Sequence, residues 1–231
     1  MLKYMASLID IHTHNQTVEN DVLKIVNIAL NDPKDLPKLD YVGWRSVGLH
    51  PWYLNEETVE EDFENLLKES ENQKVMMIGE CGLDRNIPVD FNFQKEVFIR
   101  QIQLAESLQK PVIIHCVRAF PEVIALKKHL KPTVPMIIHG FNNHPQICQQ
   151  LLDNQFYISL GAALSKSTSN ATKVIPMIPK EKLFLETDDK NCTISSIFAL
   201  ASTYLDVRIE ILKELIKHNF NRVFSNQDLT A

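Results

Sequence analysis

The sequence has no excess of positive charge. It contains 24 lysine and arginine residues against 29 aspartate and glutamate residues, a formal net charge of −5 over 231 residues. Proteins that bind long stretches of duplex nucleic acid depend on several Lys or Arg contacts to phosphates, so this composition argues against a broad duplex-binding surface. If the substrate carries phosphate, the positive charge that meets it must be local or come from bound metal ions.

Long apolar runs and paired cysteines are also missing. Runs such as 75–78 and 112–114 are far shorter than the ~18–20 apolar residues that cross a membrane, and residues 1–7 are too short for a secretory signal. The cysteines are widely spaced and form no CxxC pair: Cys81, Cys116, Cys148 and Cys192. We therefore expect reduced thiols, a cytoplasmic location and no membrane role.

The composition is that of a globular protein, and its pattern predicts alternating strands and helices. Hydrophobic residues make up 45% and charged residues 23%, both near the averages for such proteins. No repeat, linker or shift in composition divides the chain, so residues 1–231 are predicted to form one domain. Continuous apolar runs are typical of strands buried on both faces; they occur at 8–11, 47–49, 75–78, 112–114, 136–138, 156–160 and 183–185. Amphipathic stretches such as 94–109 lie between several runs, which predicts a parallel α/β sheet, either open and doubly wound or closed into a barrel.

The segment 22–30 fits two interpretations. Val18, Val22, Ile25 and Ala29 form a helical stripe, whereas residues 25–30 could equally be a buried strand. The link from 13 to 21 argues against a strand, because it is short for a parallel crossover, which usually needs about a dozen residues or more. We favour a strand, which would bring the total to eight and close the barrel. A last helix is predicted to end at about Asn219.

Potential metal ligands follow almost every predicted strand. They are His12, His14, His50, Glu80, His115, His139, Glu186 and Asp188. The carboxyl ends of parallel strands meet at one rim, so these distant residues are expected to lie close together. Imidazoles and carboxylates without a cysteine cluster are typical of a hydrolytic divalent-metal site. The set is large enough for two ions, which can share a nucleophile and hold the oxygens of an in-line displacement.

Taken together, the motifs resemble those of the TatD-like metal-dependent hydrolases, a branch of the amidohydrolase superfamily. The resemblance covers most of the chain and rests on IDIHTH (9–14), VGLHPW (47–52), IGECGLD (78–84), PVIIH (111–115), IIHGF (137–141) and LFLETD (183–188). It implies a distorted TIM (β/α) barrel with a two-metal site at the C-terminal rim of the strands.

The resemblance also implies a role for each ligand. His12, His14 and Asp188 would hold one ion, His115 and His139 the other, and Glu80 would bridge them. Asp188 would also accept a proton from the attacking water. No lysine lies in the strand of Glu80 or of His115, which disfavours the branches that use a carbamylated lysine as the bridge. The metals are expected to be Mg²⁺, Mn²⁺ or Zn²⁺.

The implied reaction is attack of a metal-bound hydroxide on a phosphodiester, as in a deoxyribonuclease. The expected substrate is a DNA end or a nucleotide phosphodiester, and no protein partner is implied. One alternative keeps the metals but cleaves a C–N or ester bond of a small molecule. Another is a non-catalytic binding protein on the same fold, although the complete ligand set argues against it.

Several residues near the motifs have more than one interpretation. His50 could contact a phosphate, protonate the leaving oxygen or hydrogen-bond a metal ligand, and we favour substrate contact. Arg118 could bind a phosphate or form an ion pair at the rim, and Asp84 is expected to orient a ligand or fix its loop. Trp52, Tyr53 and Phe141 could stack on a base, but packing is the commoner role at a barrel rim. His129, His144 and His218 are expected at the surface.

Three stretches depart from the family pattern, and all lie in expected rim loops. Asp188 is followed by Asp189 and Lys190 where the family usually has a proline and a tyrosine nearby. Asn142 and Asn143 replace the usual small residues after HGF, and the segment 13–46 is compressed, with most of the first helix lost. The sequence therefore predicts the metal chemistry more firmly than the substrate.

Overall fold

The fold is an eight-stranded parallel barrel surrounded by helices, as a computed structural model describes it for residues 7–225. The strands are β1 Leu8–Thr13, β2 Val22–Ala29, β3 Arg45–Gly48, β4 Val75–Asp84, β5 Val112–Val117, β6 Met136–Ile138, β7 Tyr157–Leu160 and β8 Leu183–Leu185. The helices are α1 Val59–Ser70, α2 Phe91–Leu108, α3 Phe120–Leu130, α4 Pro145–Asp153, α5 Asn170–Val174, α6 Ile194–Leu205 and α7 Ile209–Val223. Short 3₁₀ helices include Leu36–Asp40 and Pro51–Tyr53. This architecture confirms the TIM-barrel prediction.

Each strand pairs in parallel with the next along the chain, and the barrel closes between β8 and β1. An isolated bridge joins Thr13 to Asp188. The amide of Asp188 donates to the carbonyl of His12 at 3.0 Å, and the amide of His14 donates to the carbonyl of Asp188 at 3.1 Å. The closure therefore places Asp188 directly beside the two histidines of β1.

The ambiguous segment is strand β2, the favoured interpretation, although the link before it is short for a parallel crossover. No helix lies between β1 and β2, and Leu8 pairs with Val22. An extended chain over 14–21 can reach ~25 Å, which is enough to run back along a strand of ~20 Å without a helix. A 3₁₀ helix, Leu36–Asp40, is the only helix between β2 and β3 in the described chain, so the expected loss of the first helix is confirmed.

Some element ends differ from the sequence prediction. Strands β4 and β5 continue past their apolar runs, to Asp84 and Val117, so Glu80 and His115 lie within strands and not after them. The apolar runs end at the first polar side chains of the barrel rim. The backbone pairing of the strands continues beyond that point, for example between Gly82 and His115. Helix α7 ends at Val223, beyond the expected position, because Phe220 and Val223 are still buried.

The cysteines and the helices can be examined for disulfides and for membrane-spanning segments. All four cysteines are free thiols; Cys81 and Cys148 are buried. Within residues 7–225, none of the helices combines the length and the apolar character needed to cross a bilayer. Residues 1–6, on which the expectation about a secretory signal mainly rests, lie outside the described chain.

Two glycines let β4 lie unusually close to β5 around Glu80. Gly79 and Gly82 have φ values of +123° and +147°. A Cβ on Gly82 would lie 2.0 Å from the carbonyl oxygen of His115, and one on Gly79 would lie 2.2 Å from that of Ile113. Both obstacles are backbone atoms, so they cannot move without separating the two strands that carry Glu80 and His115.

We expect Gly82→Ala to lower the free energy of unfolding by about 3 kcal/mol, because it combines a glycine-only backbone conformation with a clash between strands. For a chain of this size that is a fall in Tm of about 6–12 °C, measurable by circular dichroism in chelator. Gly140→Ala is the matched control. Gly140 also has a positive φ, +56°, but its Cβ would meet nothing closer than 3.7 Å, so we expect about 1 kcal/mol. Equal losses in both variants would contradict the clash between strands.

Candidate metal centre

Six strands deliver the predicted ligands to one rim of the barrel. His12 and Glu80 lie in β1 and β4, and His115 lies in β5, while the others directly follow strands. Together they line a cavity of about 300 Å³ whose polar wall includes His14, His50, Glu80, His115, His139 and Asp188. The convergence expected from the sequence is therefore present in the fold.

Glu80 lies at the centre of the cluster, and its Oε1 atom faces three imidazoles. His115 Nδ1 and His139 Nε2 each lie 2.8 Å from Oε1, and His50 Nε2 lies 3.1 Å away. The Glu80 side chain is only 4% exposed, so these contacts are made away from solvent.

The other oxygen of Glu80, Oε2, faces a second group. His12 Nε2 lies 3.3 Å from Oε2 and His14 Nε2 lies 3.6 Å from it. Asp188 Oδ1 lies 3.6 Å from the Nε2 atoms of both histidines. The two carboxylate oxygens of Glu80 thus each have their own set of imidazoles.

The cluster also leaves buried ring nitrogens without hydrogen bonds. Within the described chain, His12 Nδ1 has no hydrogen-bond partner, and His12 Nε2 and His139 Nδ1 face carboxylate oxygens at 3.3 Å and 3.6 Å without forming a hydrogen bond. Such a buried polar atom costs about 1–3 kcal/mol unless something satisfies it. Imidazole and carboxylate donors are the ligands that hydrolytic divalent ions take, so the residues present fit the metals that the resemblance implies.

Three triplets of donor atoms are compact enough to hold an ion. Their ligand atoms lie within 4.8 Å of one another; the triplets are His12–His14–Glu80, His12–His139–Asp188 and His50–Glu80–His115. His139 thus lies near both groups, and its ring centroid is 4.4 Å from that of His12. His50, which the resemblance left outside the ligand set, is close enough to take part.

The electrostatics show a buried negative charge balanced by imidazoles. Burial raises the pKa of Glu80, but the surrounding imidazoles, His139 first, outweigh it and hold the pKa well below its usual range. Burial lowers the pKa of His139, but Glu80 and Glu186 raise it well above its usual value. His12 behaves in the same way, with a pKa of about 9. A site that attracts protons this strongly also attracts a divalent cation in their place.

His50 differs from the other imidazoles. Burial lowers its pKa despite the nearby Glu80 carboxylate, so its neutral form is favoured. Its Nδ1 accepts a hydrogen bond from the amide of Trp52 at 3.2 Å. The proton of the neutral ring therefore belongs on Nε2, which faces Glu80 and the cavity.

Buried amide side chains fix the backbone beneath these residues. Asn31 pairs with His50, donating to its carbonyl at 3.0 Å and accepting from its amide at 2.9 Å. Gln101 makes the same double contact with Leu49, at 3.1 and 2.8 Å. Asn27 accepts from the amide of Glu80 at 2.7 Å. The sequence analysis missed these amides, although Asn27 and Gln101 interrupt otherwise apolar faces.

Two carboxylates orient their neighbours. Asp84 Oδ2 lies 3.2 Å from His115 Nε2, and Oδ1 accepts from the amide of Asn86 at 2.7 Å, in agreement with both of its expected roles. Asp10 was missed by the sequence analysis: its carboxylate accepts from the amide and hydroxyl of Thr187, at 3.0 and 2.6 Å. Burial raises the pKa of Asp10 to about 7. An acid inside an apolar strand was the signal that could have identified it.

The remaining sequence-predicted residues lie around the rim. Arg118 is exposed, makes no ion pair with the described residues, and lines a separate depression beside His139. Phe141 is buried, as expected for packing. Trp52 and Tyr53 contact the His50 ring but are still 54% and 40% exposed, and both line the main cavity. The other three histidines, His129, His144 and His218, are exposed as expected.

Comparison with known proteins gives a consistent result. The family model described as TatD related DNase matches residues 37–225. The metal-dependent hydrolase YabD of Bacillus subtilis is 33% identical over 158 residues, which is 66% of this chain and 60% of YabD. The 3'-5' ssDNA/RNA exonuclease TatD of Pantoea ananatis is 28% identical over 203 residues, covering 78% of this chain and 77% of the relative. The 3'-5' RNA nuclease TATDN2 of Homo sapiens is 33% identical over 67% of this chain but only 21% of its own length.

Solved structures match along nearly the whole chain. The TatD homologue YJJV of Escherichia coli has a TM-score of 0.80 at 20% identity, covering 96% of this chain and 99% of the other. A TatD family hydrolase of Entamoeba histolytica has a TM-score of 0.79 at 18% identity, with coverage of 94% and 97%. At these identities the likeness shows the shared barrel fold.

Proposed function

This chain belongs to the family of TatD-related DNases, and we propose that it is a two-metal nuclease that cleaves phosphodiester bonds at the ends of single-stranded DNA or RNA. The observation that carries the proposal is the division of five imidazoles between the two oxygens of one buried carboxylate, Glu80. The names of relatives from Pantoea ananatis and Homo sapiens, both 3'-5' nucleases, support a nucleic-acid substrate.

The ligand assignment follows the two oxygens of Glu80. His12, His14 and Asp188 would hold one ion, His115 and His139 would hold the other, and Glu80 would contact both. When bound, the two cations supply positive charge for the phosphate oxygens and make water a better nucleophile near neutral pH. They also offset the acidic net charge of the chain at the one place where a phosphate must enter.

Three side chains would handle protons and substrate. The Asp188 carboxylate, 26% exposed, faces the cavity, where it can accept the proton of the attacking water. His50 carries its proton on Nε2, so it can donate a hydrogen bond to a phosphate oxygen or to the leaving oxygen. Arg118, which lines the neighbouring depression, would contact a phosphate of the next nucleotide.

The test is a nuclease assay on protein that has been stripped with chelator and reloaded with Mg²⁺, Mn²⁺ or Zn²⁺. Single-stranded DNA and RNA oligonucleotides labelled at the 5′ end should be shortened stepwise from the 3′ end, and blunt duplex should be cleaved more slowly. The chelated protein should cleave nothing. Metal-dependent turnover of amides or lactones, with every phosphodiester left intact, would instead support a small-molecule hydrolase.

A further inference from the structure

Two aromatic side chains stand exposed at the edge of the metal cavity. Trp52 and Tyr53 belong to the 3₁₀ helix Pro51–Tyr53, directly after His50, and are 54% and 40% exposed. Both line the same cavity as Glu80 and His115. The other tryptophan, Trp44, is 8% exposed and stacks on Phe220. The exposure of Trp52 is therefore not explained by packing of the barrel.

The indole of Trp52 is held in place without being covered. Its Nε1 donates to Asp84 Oδ2 at 2.7 Å, and the same oxygen lies 3.2 Å from His115 Nε2. The rings of His50 and His115 are nearly perpendicular to the indole, with interplanar angles of 87° and 81°. A ring that is fixed in position before the substrate arrives loses little entropy when the substrate binds.

The charges around the cavity indicate which part of a nucleotide lies on this ring. The phosphate belongs with the imidazoles and the ions, and the His115 ring centroid is only 5.8 Å from that of Trp52. On the side of Tyr53, the cavity wall carries the buried carboxylates of Asp32 and Asp35. Asp35 is paired with Lys38, which leaves Asp32 as the carboxylate that repels a second phosphate. The Trp52 side therefore suits the uncharged part of the nucleotide, its base.

Resting on the proposed nuclease function, we propose that Trp52 stacks on the base of the terminal nucleotide whose phosphodiester bond is cleaved. A base can lie on the ring only after it has left its neighbour and its pairing partner. Trp52 thereby selects unpaired ends, and Tyr53 extends the surface beside it. Base stacking is tolerant of sequence because every base has a π face, so the subsite distinguishes single strands from duplexes but not one sequence from another.

The test compares two oligonucleotides that differ in one base. One ends in an ordinary 3′ nucleotide and the other in an abasic 3′ residue, and both are cleaved by the wild type, Trp52→Ala and Trp52→Phe. We expect Trp52→Ala to lose about 5- to 100-fold in kcat/KM on the ordinary end, mainly through KM, and to match the wild type on the abasic end. Trp52→Phe keeps a ring but loses the bond to Asp84, so it should recover most of the activity.

A binding measurement gives a second readout. A hydrolysis-resistant phosphorothioate oligonucleotide should quench the exposed tryptophan fluorescence of the wild type, and the quenching should disappear in Trp52→Phe. Equal losses by Trp52→Ala on both ends would show that Trp52 acts by holding Asp84 and His115, and would overturn the stacking. If the wild type cleaves both oligonucleotides and Trp52→Ala cleaves each of them with the same kinetics as the wild type, the stacking is also overturned. A wild type that cleaves neither would overturn the proposed function itself.

Discussion

Glu80→Gln is expected to lower kcat/KM on a single-stranded oligonucleotide by at least about 1000-fold while leaving the barrel folded. The substitution keeps the size of the side chain but removes the one carboxylate that faces all five imidazoles. Loss of both bound cations removes several kcal/mol of transition-state stabilisation, and each 1.4 kcal/mol is about tenfold in rate. The fold should persist because the imidazoles can shed their protons once the negative charge is gone.

Metal binding provides a readout of Glu80→Gln that does not depend on turnover. Mn²⁺ at about 100 times its Kd should stabilise the wild type by about 2.7 kcal/mol, a rise in Tm of about 5–11 °C for a chain of this size. Glu80→Gln should lose that rise and also its metal content by mass spectrometry. Glu210→Gln, on the exposed side of α7, is the matched control and should keep both. A folded Glu80→Gln protein with activity within tenfold of the wild type would refute the shared-carboxylate assignment.

The sequence was sufficient to predict the barrel and the ligand set because both depend on local pattern. His115 and His139 each sit where a continuous apolar run meets its first polar residue, and His12 follows a run that only Asp10 interrupts. Parallel strands bring such positions to one rim. The pattern of 22–30 fitted both a helix and a strand, and the favoured strand is β2. Each of these inferences needs only the order of residues along one strand.

The sequence could not predict the contacts between residues that lie far apart along the chain. Gln101 fixes the backbone of Leu49, and Asn27 fixes the amide of Glu80, 53 positions away. No spacing in the sequence records such a pair. The exposure of Trp52 also depends on distant residues, since Asp84 and His115 hold its ring at the cavity edge. The supporting contacts and the substrate surface therefore required the structure, whereas the candidate ligands did not.

Asp188→Asn is expected to reduce kcat by about 100- to 10,000-fold with a smaller change in KM, because the variant cannot accept a proton from the attacking water. The backbone should tolerate the change. Asp188 has a φ of +55°, a conformation that asparagine adopts more readily than most residues. The bonds that close the barrel here come from the main chain of Asp188 and not from its side chain. An amide oxygen also remains available to a metal ion.

Asp206→Asn is the matched control for this prediction, since Asp206 is another aspartate with a positive φ, +50°, at the exposed end of α6. It should leave both kcat and Tm unchanged. Metal content at saturating Mn²⁺ then separates the two roles assigned to Asp188. If the Asp188→Asn protein keeps two ions per chain but loses turnover, it has lost its proton acceptor. If its metal content and its activity fall by the same factor, it has lost a metal ligand only. Full activity with two ions bound would exclude both roles and leave His50 as the group that must be tested for proton transfer.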